Sequence, residues 1–73
     1  MMALHIYKVG DDVKVVGQYS GHTCFAEVVR VSPSGKMVWV KMPQYSGPQQ
    51  FVYRPTLDRH FSDYNGHLFP APL

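Results

Sequence analysis

Thr23-Cys24-Phe25-Ala26-Glu27-Val28-Val29-Arg30-Val31-Ser32-Pro33-Ser34-Gly35-Lys36-Met37-Val38-Trp39-Val40-Lys41-Met42 is the stretch that decides the fold. Its first half is rich in β-branched residues, which suit a pleated and half-buried surface. Ser32-Pro33-Ser34-Gly35 is a turn: Pro33 presets its own φ, and Gly35 can take a positive one. The second half alternates, so Val38 and Val40 face one side while Met37, Trp39 and Lys41 face the other. The stretch therefore predicts a hairpin of two strands, Thr23 to Ser32 and Lys36 to Met42. Ala26 and Val28 share one face, whereas Val29 and Val31 share the opposite one. A bulge or strong bend near Val29-Arg30 lets both sets reach a single core.

Outward from the hairpin, three more segments read as strands: Asp12 to Gln18, Gln49 to Arg54, and Arg59 to Asp63. Val9-Gly10-Asp11-Asp12, Gln18 to His22, Pro43 to Pro48 and Pro55-Thr56-Leu57-Asp58 supply the turns between them. No segment carries a sustained helical period. Five short strands in meander order predict an all-β fold, a small SH3-like five-stranded barrel. Its expected core is Val13, Val15, Ala26, Val28, Val31, Val38 and Val40. Residues 1–73 form a single domain, with 1–8 and 67–73 expected as loosely ordered tails, because the latter holds two prolines after a turn dipeptide.

Composition narrows the function. A chain of 73 residues is one domain at most. Cys24 is the sole cysteine, so there is no internal disulfide, which fits a reducing cytoplasm. No apolar run approaches the ~20 residues that span a membrane, and the first residues do not read as a signal peptide. The formal charge is +2, from seven Lys and Arg against five acids. Aromatic residues make up 14% of the chain, more than so small a barrel hides, so some are expected at the surface.

The candidate chemistry is sparse. His22-x-Cys24 could offer two metal ligands, with His5, His60 or His67 to complete a set, but the spacing recurs nowhere and a structural zinc site wants four ligands. The expected reading is a half-buried free thiol at Cys24 and surface histidines, with no metal and no cofactor. Cys24 beside a histidine would be the one nucleophile–base pair available, and nothing around it lowers the thiol pKa. No catalytic residue is therefore expected. Arg30, Lys36 and Lys41 beside Trp39 suit a nucleic-acid surface in kind. In number they fall short of the roughly 6–10 phosphate contacts of tight binders. Trp, Tyr and Arg dominate the energetics of protein interfaces. Phe25, Arg30, Met37, Trp39, Lys41 and Arg54 are accordingly the expected partner-binding residues.

Two resemblances add to this. Val9-Gly10-Asp11-Asp12-Val13-Lys14-Val15 looks like the opening of many SH3-like barrels. Phe25 to Val31, Ser34-Gly35-Lys36 and Val38-Trp39-Val40-Lys41 resemble the following hairpin of Tudor and KOW-type modules, with Phe25, Trp39 and Tyr45 the aromatics available for a Tudor-type cage. At the level of the whole chain, its length together with Gly17-Gln18-Tyr19-Ser20-Gly21 and Phe51-Val52-Tyr53-Arg54-Pro55 resembles the small transcription regulators of bacteriophages that infect Xanthomonas. That resemblance implies binding to bacterial RNA polymerase in the cytoplasm of an infected host cell, with inhibition of initiation and antitermination as activities. The alternative is a KOW-like nucleic-acid-binding module.

Overall fold

A computed structural model describes residues 5–71 of the chain. It is all-β, with no helix among the described residues. Six strands follow one another: β1 (Asp12–Val16), β2 (Thr23–Val31), β3 (Met37–Lys41), β4 (Gln49–Arg54), β5 (Arg59–Ser62) and β6 (Gly66–Pro70). Each pairs antiparallel with the next, and β6 returns to pair with β1, so the meander closes into a barrel.

The sixth strand corrects the five-stranded expectation. Residues 67–70 are not a loose tail. His67-Leu68-Phe69 alternates out, in, out, and Leu68 is 1% exposed in the core. Val15 pairs with Leu68 and Val13 with Pro70, at the end of the strand. Pro70 is tolerated there because a strand end can dispense with a backbone donor. At the other terminus Tyr7 is buried at 4% exposure and belongs to the core, which residues 1–8 as a loose tail did not anticipate. Residues 1–4 and 72–73 lie outside the described part of the chain.

The hairpin forms as the sequence predicts. Val28 pairs with Val40, and the next pair is Arg30 with Trp39, so Val29 is the extra residue of a bulge. The bulge resets the alternation. Val28 points in before it and Val31 packs against the core after it, while Arg30 turns outward. Gly35 closes the turn at φ 78°, where a side chain would be strained.

The core holds Val13, Val15, Val28, Val38 and Val40 as expected, with Ala26 and Val31 partly buried against it. It also holds Met42, Phe51, Tyr53 and Leu68. The far hairpin turns at Asp58, whose φ of 52° is one that Asp tolerates better than most residues. Tyr53 Oη donates to the Asp58 carboxylate at 2.8 Å and ties that turn down.

One buried group is polar. His60 is 1% exposed, against the expectation that all the histidines lie at the surface. The β5 alternation turns it inward, between the edges of Tyr7 at 5.1 Å and Tyr53 at 5.6 Å. Its Nε2 stands 2.8 Å from the Gly35 carbonyl oxygen. A carbonyl only accepts, so Nε2 carries the proton. Nδ1 is then bare, buried and without a partner. Protonating it would place an unpaired N–H and a full charge in the core. Burial therefore holds the imidazole below its ordinary value of 6.5; the Gly35 hydrogen bond opposes this, and His5 adds to it.

The unfolded chain takes up this proton near 6.5 and the folded chain only at lower pH. His60 thus contributes its full share of stability above 6.5, and that share shrinks as pH falls toward the lowered folded value. The expected slope is up to about 1.4 kcal/mol per pH unit in that window. Urea midpoints measured from about pH 7 to about pH 5 check this, and a His60→Gln variant should flatten the profile.

Candidate binding surface

The bulge at Val29 builds a stacked cation–aromatic pair on the outer surface. It turns Arg30 onto the outer face of β2, directly opposite Trp39 of β3. The guanidinium lies 4.7 Å from the centroid of the indole. Such stacking holds both side chains in one arrangement before any partner arrives. Trp39 is half-buried and Arg30 is exposed, so the pair presents a flat, cationic and aromatic surface.

The other expected residues divide around this pair. Met37 and Lys41 stand on either side of Trp39 on the outer row of β3. Met37 is opposite Val52, and Lys41 is opposite Glu27. Phe25 is 64% exposed. With Lys41 and Pro43 it lines a shallow concavity that Asp12 and Glu27 also border. Arg54 lies apart, on β4, where its guanidinium is 3.6 Å from the Asp63 carboxylate. Four of the six residues, Arg30, Met37, Trp39 and Lys41, therefore make a strip along the β2–β3 hairpin, with Phe25 at its edge and Arg54 outside it.

Tyr45 does not join Phe25 and Trp39 in a cage. It lies at one end of the barrel with its ring 6.2 Å from that of Tyr64. There, Tyr19, Tyr45 and Tyr64 line a concavity, with His22, Cys24 and Gln44 on its wall. Tyr19 is 93% exposed and Tyr64 is 80% exposed, as the aromatic surplus of the sequence predicted. The Cys24 thiol is half-buried and within 3.4 Å of the Gln44 side-chain oxygen. Among the described residues no group of three or more His, Cys, Asp or Glu side chains converges on a point where a metal ion could sit.

Sequence reasoning also passed over a second outer face, formed by Phe61, His67 and Phe69 with Lys14 and Arg59. The available signal was the alternation of Gly66 to Pro70, which marks a strand once Asn65-Gly66 is taken as a hairpin turn. Comparison with protein-family models, with curated proteins and with solved structures gives no match for this chain.

Proposed function

We propose that this domain is a non-enzymatic regulator of transcription that docks on bacterial RNA polymerase, inhibits initiation by the host enzyme and favours antitermination, in the cytoplasm of an infected bacterial cell. The observation that carries the docking is the stacked Arg30–Trp39 pair on the β2–β3 hairpin, 4.7 Å apart and open to a partner. Preordered Trp and Arg side chains are the residue types that dominate interface energies, since little entropy remains to be lost on binding. The choice of polymerase rests on the resemblance of Gly17 to Gly21 and Phe51 to Pro55 to the Xanthomonas phage regulators. In this reading the barrel is SH3-like, with the bulged second strand supplying the bend. A small domain controls a large machine by occupying a surface that only one of its states, or only one of its other partners, can use.

The test is binding to purified polymerase free of nucleic acid, followed by promoter-dependent transcription. Binding at micromolar or tighter concentrations, with loss of initiation, is the expected result. Trp39→Ala should weaken it by at least about 2 kcal/mol, the range of interface hot spots, while leaving the fold intact. Failure to bind polymerase, with salt-sensitive nucleic-acid binding that Lys36→Gln and Lys41→Gln weaken, would move the reading to the KOW-like alternative.

A further inference from the structure

Opposite the hairpin, two parallel rows of side chains cross the outer surface of the barrel. The first is apolar and aromatic: Val52 of β4 pairs with Phe61 of β5, Phe61 pairs with His67 of β6, and His67 pairs with Val16 of β1. The second is cationic: Arg54 pairs with Arg59, whose guanidinium lies 5.1 Å from the centre of the Phe69 ring, and Phe69 pairs with Lys14. The Lys14 ammonium is 5.9 Å from the same ring. Phe61 and His67 have centroids 4.9 Å apart, and His67 and Phe69 are 6.4 Å apart. Three rings thus run continuously along β5 and β6, each partly exposed, the His67 ring with its Nδ1 edge buried, and with cations on one side of them.

Neither row contains an acid. The acids that border them are Asp58, which precedes Arg59 and accepts from Tyr53 Oη, Asp12, two residues from Lys14 along β1, and Asp63, which is paired with Arg54. The rows are two residues apart along each strand, about 6.6 Å, a separation that one nucleotide bridges from its phosphate to its base. Aromatic platforms flanked by cations are what single-stranded nucleic acid needs, because each unstacked base regains a stacking partner and each phosphate a counter-charge. Duplex bases already stack on one another and gain nothing from the rings.

We propose that the β1–β6–β5–β4 face binds single-stranded nucleic acid without sequence preference, the bases stacking on Phe61 and His67 and the phosphates following Lys14, Arg59 and Arg54. This surface is distinct from the β2–β3 hairpin, and the proposal stands whether or not the hairpin meets polymerase.

The experiment titrates the free chain into a fluorescein-labelled oligouridylate of about ten nucleotides, within the site sizes of small barrels. Fluorescence anisotropy gives the affinity, and amide spectra give the location. Binding at low salt is expected, with a slope of log K against log salt of about −1.4 to −2.1, for two to three phosphates neutralised on a single strand. The largest amide shifts should fall in β1, β5 and β6, and duplex RNA should compete poorly. Phe61→Leu should weaken binding about fivefold or more, the loss of one stacking partner. The pair Lys14→Gln and Arg59→Gln projects from the outer face of the barrel and removes nothing from its core, so it keeps the test alive if Phe61→Leu does not fold. It should flatten the slope to between about −0.7 and zero. Trp39→Ala should leave RNA affinity unchanged. The proposal is overturned by an absence of binding at low salt, or by shifts confined to the β2–β3 hairpin. It is equally overturned by an unchanged slope in the charge variant, or by a β5–β6 face that responds to polymerase and not to RNA.

Discussion

Gly66→Ala is expected to abolish the folded state or to cost at least about 3 kcal/mol, combining backbone strain with a backbone clash. Gly66 has φ 110°, a conformation in which a side chain is strained in any surroundings. It is also buried at the corner where the chain leaves β5 and swings onto β1. A Cβ there would fall on the carbonyl oxygen of Val16, 2.9 Å from the Gly17 Cα and 3.0 Å from the Gln18 nitrogen. All three are backbone atoms, so no side chain can swing aside. Moving them would break the β1–β6 pairing that closes the barrel. Gly47→Ala is the matched control, since a Cβ there meets nothing within 4 Å. Urea unfolding followed by circular dichroism should find the Gly47 variant near wild type. A Gly66 variant with an unshifted midpoint would mean that β6 does not approach β1 as closely as described.

Phe51→Ala should be nearly as damaging. Phe51 is fully buried, points inward from β4 and stands opposite Val38. Truncating a buried Phe costs about 3–5 kcal/mol through lost transfer energy and the cavity left behind. At about 0.05–0.15 kcal/mol per residue, a chain of this length has roughly 4–11 kcal/mol in total. The variant should therefore be partly unfolded in buffer at room temperature, with a lowered thermal midpoint. Phe51→Leu keeps most of the volume and should recover a large part of the loss. If both variants melt together with wild type, Phe51 does not fill the centre of the barrel.

These two residues also mark where the sequence was legible. The hairpin could be read because its information is local: alternating valines, a proline–glycine turn, and a phase conflict at Val28-Val29 that only a bulge resolves. Phe51 and Tyr53 were placed on the right strand. Their burial depends on which face of β4 meets the core, which Gln49-Gln50-Phe51-Val52-Tyr53-Arg54 does not decide by itself, since Val52 would serve on either face. The sixth strand was harder. Its partner β1 lies more than fifty positions away in sequence, and prolines near its end mimic the signature of a tail. His60 could not be recognised as buried because its partner, the Gly35 carbonyl, comes from a distant turn. Among the binding candidates, Arg30, Met37, Trp39 and Lys41 fell together because one hairpin holds them. Arg54 did not, because nothing local showed that β4 would carry it away from that strip. The Phe61–His67–Phe69 ladder requires the β5–β6 pairing, which no short-range pattern reveals.

Closure has a consequence for how this domain can recognise anything. Each of the six strands already has a neighbour on both sides over at least part of its length, so none presents a whole free edge to an extended peptide, and only short stretches such as 23–26 of β2 keep main-chain groups without a strand partner on one side. Partners that bind by adding a strand gain affinity from the backbone and only selectivity from side chains. Here that order is reversed. Whatever docks on the barrel must be gripped by side chains projecting from its walls and loops, and the grip can be altered one residue at a time while the hydrogen-bonded ring beneath stays the same.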